Sequence, residues 1–356
     1  MHQNLWCMNL KAMFSRRIAT MIVALTAVVI GAIAWFNPNT FSSGQNPFVK
    51  SEPLNSISGR VGGDGPVLVV KIDDTRASHP QIGLEDADLV YIEQVEGGLT
   101  RLAAVFSSKI PTRIGPVRSS RVSDIELLAQ YGRVGFAYSG AQSKFRPVLA
   151  AANLENLSAE RNSPQIFTTD PTRVQPFAMV LRADLLLQLT VDKGITLAQS
   201  KSMGWKFGGA PEGGRAVSKI GLRWPASAYE AAWSKEENRW LLSFQGQPNI
   251  AESGLRLGAS TLVIQKVLIT PSIYKDKVGG VTPFSATVGT GSGYIARNGK
   301  VFPATWNRQS AESGTTWTDK DGKEIAFEKG QIWVALVDKE PVFTDVIADA
   351  TKPSSK

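Results

Sequence analysis

Residues 67–121 read VLVVKIDDTRASHPQIGLEDADLVYIEQVEGGLTRLAAVFSSKIPTRIGPVRSSR, and this stretch carries both the architecture and the candidate chemistry. Its first six residues, Val67 to Ile72, are an apolar, β-branched run fit for a buried strand. Asp88–Val95 and Leu99–Phe106 have the same texture. Between them, Glu96-Gly97-Gly98 supplies glycines able to take the positive φ of a hairpin turn. Successive strand side chains point to opposite faces, so Asp73 and Asp74 can serve one site only if the chain turns there. The same rule sets Glu93 and Glu96 on opposite faces of a regular strand.

Downstream, Ser123-Asp124-Ile125-Glu126 has the pattern of a capping box, opening a helix with Val122, Ile125, Leu128 and Ala129 on one face and Gly132 at its end. A fourth strand is predicted over Val134–Tyr138, a helix over Lys144–Ala152 with Pro147 in its first turn, and a longer helix over Phe177–Leu189. After about Gly204 helical signals fade. Short strands are predicted at Leu222–Trp224, Ala228–Trp233, Trp240–Phe244, Thr261–Leu268, Ser285–Gly289, Tyr294–Ala296, Thr315–Thr318, Glu324–Phe327 and Ile332–Val337, with tight turns at Asn298-Gly299 and Asp321-Gly322. The fold class is therefore α+β: a mixed α/β domain over 67–200, a β-rich domain over 201–340, and a tail over 341–356.

Upstream, residues 1–17 carry Lys11, Arg16 and Arg17 without an acid, and Ile18 to Phe36 (IATMIVALTAVVIGAIAWF) is uncharged. A helix of that length spans roughly 28 Å, close to the hydrocarbon thickness of a bilayer. The positive flank favours a cytoplasmic N-terminus, so 1–17 is read as a cytoplasmic tail and 18–36 as a transmembrane signal anchor, with the folded domains outside the cell. A signal peptide cut after Ala32-Ile33-Ala34 is the competing reading. Residues 37–66, with fourteen Gly, Pro or Ser among thirty, read as a flexible tether.

The 356-residue chain holds one cysteine, Cys7, and two histidines, His2 and His79, which excludes an intramolecular disulfide and a cysteine zinc cage. No metal site, cofactor or catalytic residue is assigned. The net charge of +8 on an exported chain favours anionic envelope polymers or lipid headgroups, and no nucleic-acid motif is present. Arg113-Ile114-Gly115-Pro116-Val117-Arg118-Ser119-Ser120-Arg121 is the most specific local feature: arginine forks suit carboxylate and phosphate, and they precede a helix whose free N–H groups attract anions. The same arginines could instead pair internally with Asp73, Asp74, Glu93 or Glu96. His79 reads as a loop residue before Pro80. The tryptophans of the C-terminal half read as core, and Gly289-Thr290-Gly291-Ser292-Gly293, without a following helix or lysine, is not a nucleotide loop.

KIDDTRASHPQIGLEDADLVYIEQVEGGLTRLAAVFSS followed by IGPVRSSR resembles the DUF3048 family of YerB-like bacterial envelope proteins, and GSGYIARNGKVFPATWNR with TTWTDKDGKEIAFEKGQIWVAL is similar to that family's C-terminal domain. The likeness covers most of residues 53–338. It implies an envelope location and a two-part architecture. Many members are lipoproteins; this chain has no lipobox and is read as using a transmembrane helix instead. Asp74 stands where the family often has Asn, His79 where Arg is common, and Ser163-Pro164-Gln165-Ile166-Phe167 where Pro-His-Asn is typical.

The leading expectation is a membrane-tethered extracytoplasmic protein that binds an anionic ligand or a membrane-protein partner. The ligand-binding set is Asp73, Asp74, Glu93, Glu96, Arg101, Arg118, Ser119 and Arg121, with Gly97 and Gly98 allowing close approach. The alternative is a carboxylate-dependent hydrolase of cell-wall glycan using Asp73 with Glu93 or Glu96. A purely structural partner of a membrane complex is the third reading.

Overall fold

The computed structural model describes residues 52–346. The expected cytoplasmic tail, the apolar segment 18–36 and most of the tether lie outside them. Among the described residues no helix is long and apolar enough to cross a membrane. The chain is a mixed α/β structure made mostly of strands, with three α-helices among the described residues, Ser123–Ala129, Arg146–Ala151 and Ala183–Asp192.

One sheet of sixteen strands runs through both halves of the chain. Leu89–Gln94 and Thr100–Phe106 form the expected hairpin, and Leu68–Asp73 adds antiparallel to the second of them. The late strand Ile332–Val337 lies parallel to Leu89–Gln94 on one side and to Thr261–Lys266 on the other, so the sheet continues across residue 200. Alternation along these strands separates two cores. Leu68, Val70 and Ile72 pack with Val90, Ile92, Leu102 and Ala104 on one face, while Val67 and Val69 pack with Leu89, Tyr91, Ala103 and Val105 on the other. Each fully buried Val, Leu or Ile among them contributes about 1.5–3 kcal/mol.

Asn298-Gly299 makes the expected two-residue turn, with φ of 50° and 71° between paired Arg297 and Lys300. The glycines of 289–293 lie in the strand Gly289–Arg297; a Cβ on Gly293 would sit 2.3 Å from the Ile264 carbonyl oxygen, so that glycine admits a neighbouring strand. Trp205, Trp224, Trp240, Trp306, Trp317 and Trp333 are all buried, in keeping with the core reading.

Several expectations are corrected. Residues 52–66 are not loose: Ile57 is buried, the Trp205 indole donates to its carbonyl at 3.0 Å, and Ser58 Oγ donates to buried Asp88. Polar anchoring, invisible in a Gly/Pro/Ser count, fastens this segment. Phe177–Leu189 is not one helix. Met179–Arg182 is a strand between Phe167–Thr169 and Arg113–Ile114, and the helix starts at Ala183; tertiary pairing overrides local propensity there. Neither capping-box residue caps its helix: Ser123 Oγ accepts the Ser285 N–H at 3.0 Å, and Glu126 Oε1 accepts those of Thr287 and Val288. Ser285–Gly289 and Glu324–Phe327 are not strands; Val281–Ser285 is one.

Candidate functional site

Asp73, Arg101 and Glu93 stand opposite one another on three adjacent strands, since Arg101 pairs with Asp73 on one side and with Glu93 on the other. All three belong to the face that carries Ala103, Val105 and Tyr91, and Lys71 shares it two residues before Asp73. The loop after Gly115 crosses the end of this row: Asp73 N–H donates to the Pro116 carbonyl at 2.9 Å, and Arg118 N–H to the Lys71 carbonyl at 2.8 Å. The acidic strand ends and the basic loop therefore meet.

Their charges pair selectively. Arg118 Nε lies 2.8 Å from Asp73 Oδ2, with its guanidinium 5.9 Å from the Phe177 ring centroid. Arg121 Nε lies 2.7 Å from Glu96 Oε1, and Thr282 Oγ1 donates to the same oxygen. Lys71, wholly buried, bridges Glu93 and Asp124, with its ammonium 2.7 Å from Asp124 Oδ1. Asp124 Oδ2 also accepts the Arg121 N–H at 2.6 Å. That acceptor already occupies the start of the short helix, so the helix terminus is not the anion site the sequence suggested.

Arg101 is the exception. It is 8% exposed and donates from Nη1 to the Ser119 carbonyl at 2.9 Å, yet among the described residues no carboxylate lies within 4.0 Å of its guanidinium. Burial, then the neighbouring Arg121 and Arg118, bring its pKa down to about 9. Burial likewise lowers Lys71 to about 8, against the pull of Asp124. For Glu96 burial acts upward, but Arg121 and the Thr282 hydrogen bond outweigh it and hold the carboxyl below its usual value.

The row opens into a cleft of about 630 Å³. Arg101, Arg118, Ser119, Ser120 and Arg121 line it, Arg146 stands in a further part of the wall, and Lys275 and Lys277 reach in from a separate two-stranded sheet formed by Ile269–Lys275 and Val281–Ser285. Six cationic side chains face it against three carboxylates, Glu96, Glu160 and Asp276. Among the described residues no cluster of His, Cys, Asp and Glu is arranged to hold a metal.

The expected set is thus divided. Glu96, Arg101, Arg118, Ser119 and Arg121 line the cleft, while Asp73 supports Arg118 from behind. Glu93 is fully buried beneath the row against Lys71 and does not line the cleft. Asp74 points to the opposite face, where Thr100 Oγ1 and Tyr229 OH donate to it at 2.6 and 2.7 Å and His79 Nε2 lies 3.2 Å away. His79 is no free loop residue, for its ring stacks on Phe244 with centroids 4.4 Å apart. Gly97 and Gly98 have φ of 68° and 72° in the tight turn that Glu96 opens; a Cβ on Gly98 would strike Pro225 at 2.4 Å, so its closeness serves packing. Of the carboxylates a glycan hydrolase would need, only Glu96 lines the cleft, and it is ion-paired. The sequence reading missed Lys71 and Asp124, although the parity of Lys71 with Asp73 was a usable signal. Arg146, Lys275, Lys277 and Thr282 had none.

The Glu96–Arg121 pair makes a pH prediction. A carboxyl whose pKa is lower folded than unfolded adds stability above its unfolded pKa of about 4.3, and that stability fades as pH falls through the folded value. Glu96→Gln should therefore be less stable than wild type at pH 7 and show a shallower acid limb, read by urea unfolding from neutral pH down to about pH 3. Parallel acid limbs would show that the pair contributes nothing.

A strand-rich mixed sheet carrying a basic cleft at its strand ends defines the class of protein. The model for "Protein of unknown function (DUF3048) N-terminal domain" matches residues 55–196 and that for the DUF3048 C-terminal domain matches 220–334, and the chain belongs to this family. It is similar to "Putative lipoprotein YerB" of Bacillus subtilis, 22% identical over 276 residues, which is 76% of this chain and 81% of that protein. A crystal structure of YerB from Bacillus subtilis matches with a TM-score of 0.70 at 19% identity, covering 83% of this chain and all of that one, a likeness of fold.

Proposed function

We propose that the protein is a membrane-tethered envelope protein, its folded part outside the cell, that binds an oxyanionic ligand in the arginine cleft. The location rests on the uncharged run Ile18–Phe36 with its basic flank, and on the lipoprotein name carried by the Bacillus subtilis relative. The binding rests above all on Arg101. A buried cation with no carboxylate in direct contact is costly: Glu96 and Asp73 act on it only from beyond 4.0 Å, and its fork makes one hydrogen bond among the described residues, to the Ser119 carbonyl, which leaves donors for an anion entering the cleft. Arg118 and Arg121 flank it, each already oriented by a carboxylate, so the three present a preorganised basic surface.

Calorimetric titration of the full chain with inorganic pyrophosphate tests this. One saturable site is expected in the wild type, weakened by at least about tenfold in Arg101→Met, the loss of about 1.4 kcal/mol. A wild type that takes up no pyrophosphate, or a variant that binds equally well, would overturn the reading.

A further inference from the structure

Two segments that contribute to the wall of the arginine cleft carry the most exposed large apolar residues among the described residues. Among large hydrophobic side chains the three most exposed are Val278 at 91%, Ile273 at 85% and Val174 at 79%. Val278 lines the cleft; Ile273 lies on the same hairpin, and Val174 directly precedes the lining residues Gln175 and Pro176 of another segment. An isolated exposed valine means nothing; three on the segments that wall one cleft mark a surface that meets something apolar.

The hairpin that carries two of them is built to present them. In Ile269–Lys275 the alternation leaves Pro271, Ile273 and Lys275 exposed and turns Ser272 and Tyr274 inward. Its turn is held by Asp276, whose Oδ1 accepts the N–H groups of Val278 and Gly280 at 3.0 and 2.7 Å, and Lys275 and Lys277 stand beside the apolar tip. An apolar tip ringed by lysines is the combination that suits an anionic bilayer surface: the apolar side chains enter the acyl boundary while the ammonium groups stay among the headgroups. A soluble polyanion would account for the arginines but not for the exposed apolar side chains. A protein partner would account for those side chains but not for the cationic cleft that their segments wall.

Chain length agrees. Fifteen residues separate Phe36, the end of the apolar run, from Glu52, where the described body begins. Fully extended they reach at most about 50 Å, which bounds how far Glu52 can stand from any membrane that holds residues 18–36.

Resting on the anion-binding reading of the cleft, the geometry points to its ligand as the phosphate headgroup of an anionic membrane lipid, taken up while the 269–285 hairpin and the neighbourhood of Val174 press on the bilayer surface. No bond is made or broken.

The full chain, with Cys7→Ser and Val278→Cys carrying an environment-sensitive nitrobenzoxadiazole label, tests this in nanodiscs of phosphatidylcholine alone or mixed with phosphatidylglycerol. Emission should rise about twofold or more and shift to the blue only where phosphatidylglycerol is present, and a label at Ile273→Cys should respond in the same way. Adding Arg101→Met should remove most of the response. A label equally bright in both discs, or silent in both while pyrophosphate still binds the soluble face, overturns the lipid assignment and leaves the cleft reading standing. Failure of pyrophosphate binding itself would remove both.

Discussion

Arg101→Met is expected to make the protein more stable and, at the same time, to weaken its hold on an oxyanion by at least about tenfold. Methionine keeps most of the volume and removes a buried charge that no carboxylate among the described residues contacts within 4.0 Å. Relieving such a charge should raise the unfolding free energy by about 1–3 kcal/mol. The wild type, in contrast, should be stabilised by its ligand: at a hundredfold excess of pyrophosphate over its Kd the gain is about 2.7 kcal/mol, and the variant, its Kd at least about tenfold higher, should gain no more than about 1.4 kcal/mol. Thermal unfolding of both proteins with and without pyrophosphate reads the two effects together. A residue whose removal strengthens the fold and weakens binding is one held against stability for function. A variant that is destabilised would instead make Arg101 a structural cation and remove the main support for the cleft reading.

Lys71→Met should have the opposite result and the largest effect on stability. It leaves Glu93 and Asp124, both fully buried, facing each other with no cation between them. Breaking a buried charge group by removing one partner costs about 3–5 kcal/mol, enough to threaten a fold of ordinary stability. Combining Lys71→Met with Glu93→Gln and Asp124→Asn should recover most of that loss, since neutral amides can remain buried at far lower cost. Urea midpoints of the single and triple variants decide the matter. A single variant within about 1 kcal/mol of wild type would mean that the triad is not what seats the sheet against the helix.

Much of the central fold could be read from the chain because it is local. Val67–Ile72 and the hairpin around Glu96-Gly97-Gly98 announce themselves by β-branched runs and glycines, and they form as expected. Period-two alternation already warned that Asp73 and Asp74 would part company, and they do: one backs the cleft, the other joins Thr100 and Tyr229 on the far face. Glu96 escaped that rule because the regular strand stops at Gln94, and Glu96 already opens the tight turn Glu96–Gly98. What stayed hidden depends on partners distant in sequence. Thr282 reaches Glu96 across 186 residues, and no local pattern marks Lys275 and Lys277 as cleft residues. Met179–Arg182 looks helical until Phe167–Thr169 and Arg113–Ile114 pair with it. Residues 52–66 look like a tether because composition does not show that Asp88 and Trp205 wait to bind their backbone and hydroxyl groups.

Diffraction from the protein saturated with an anomalously scattering oxyanion, selenate, tests the account most directly. The expected result is a peak within hydrogen-bond distance of the Arg101 guanidinium and between Arg118 and Arg121. A cleft without that peak, with selenate bound only elsewhere on the surface, would contradict it.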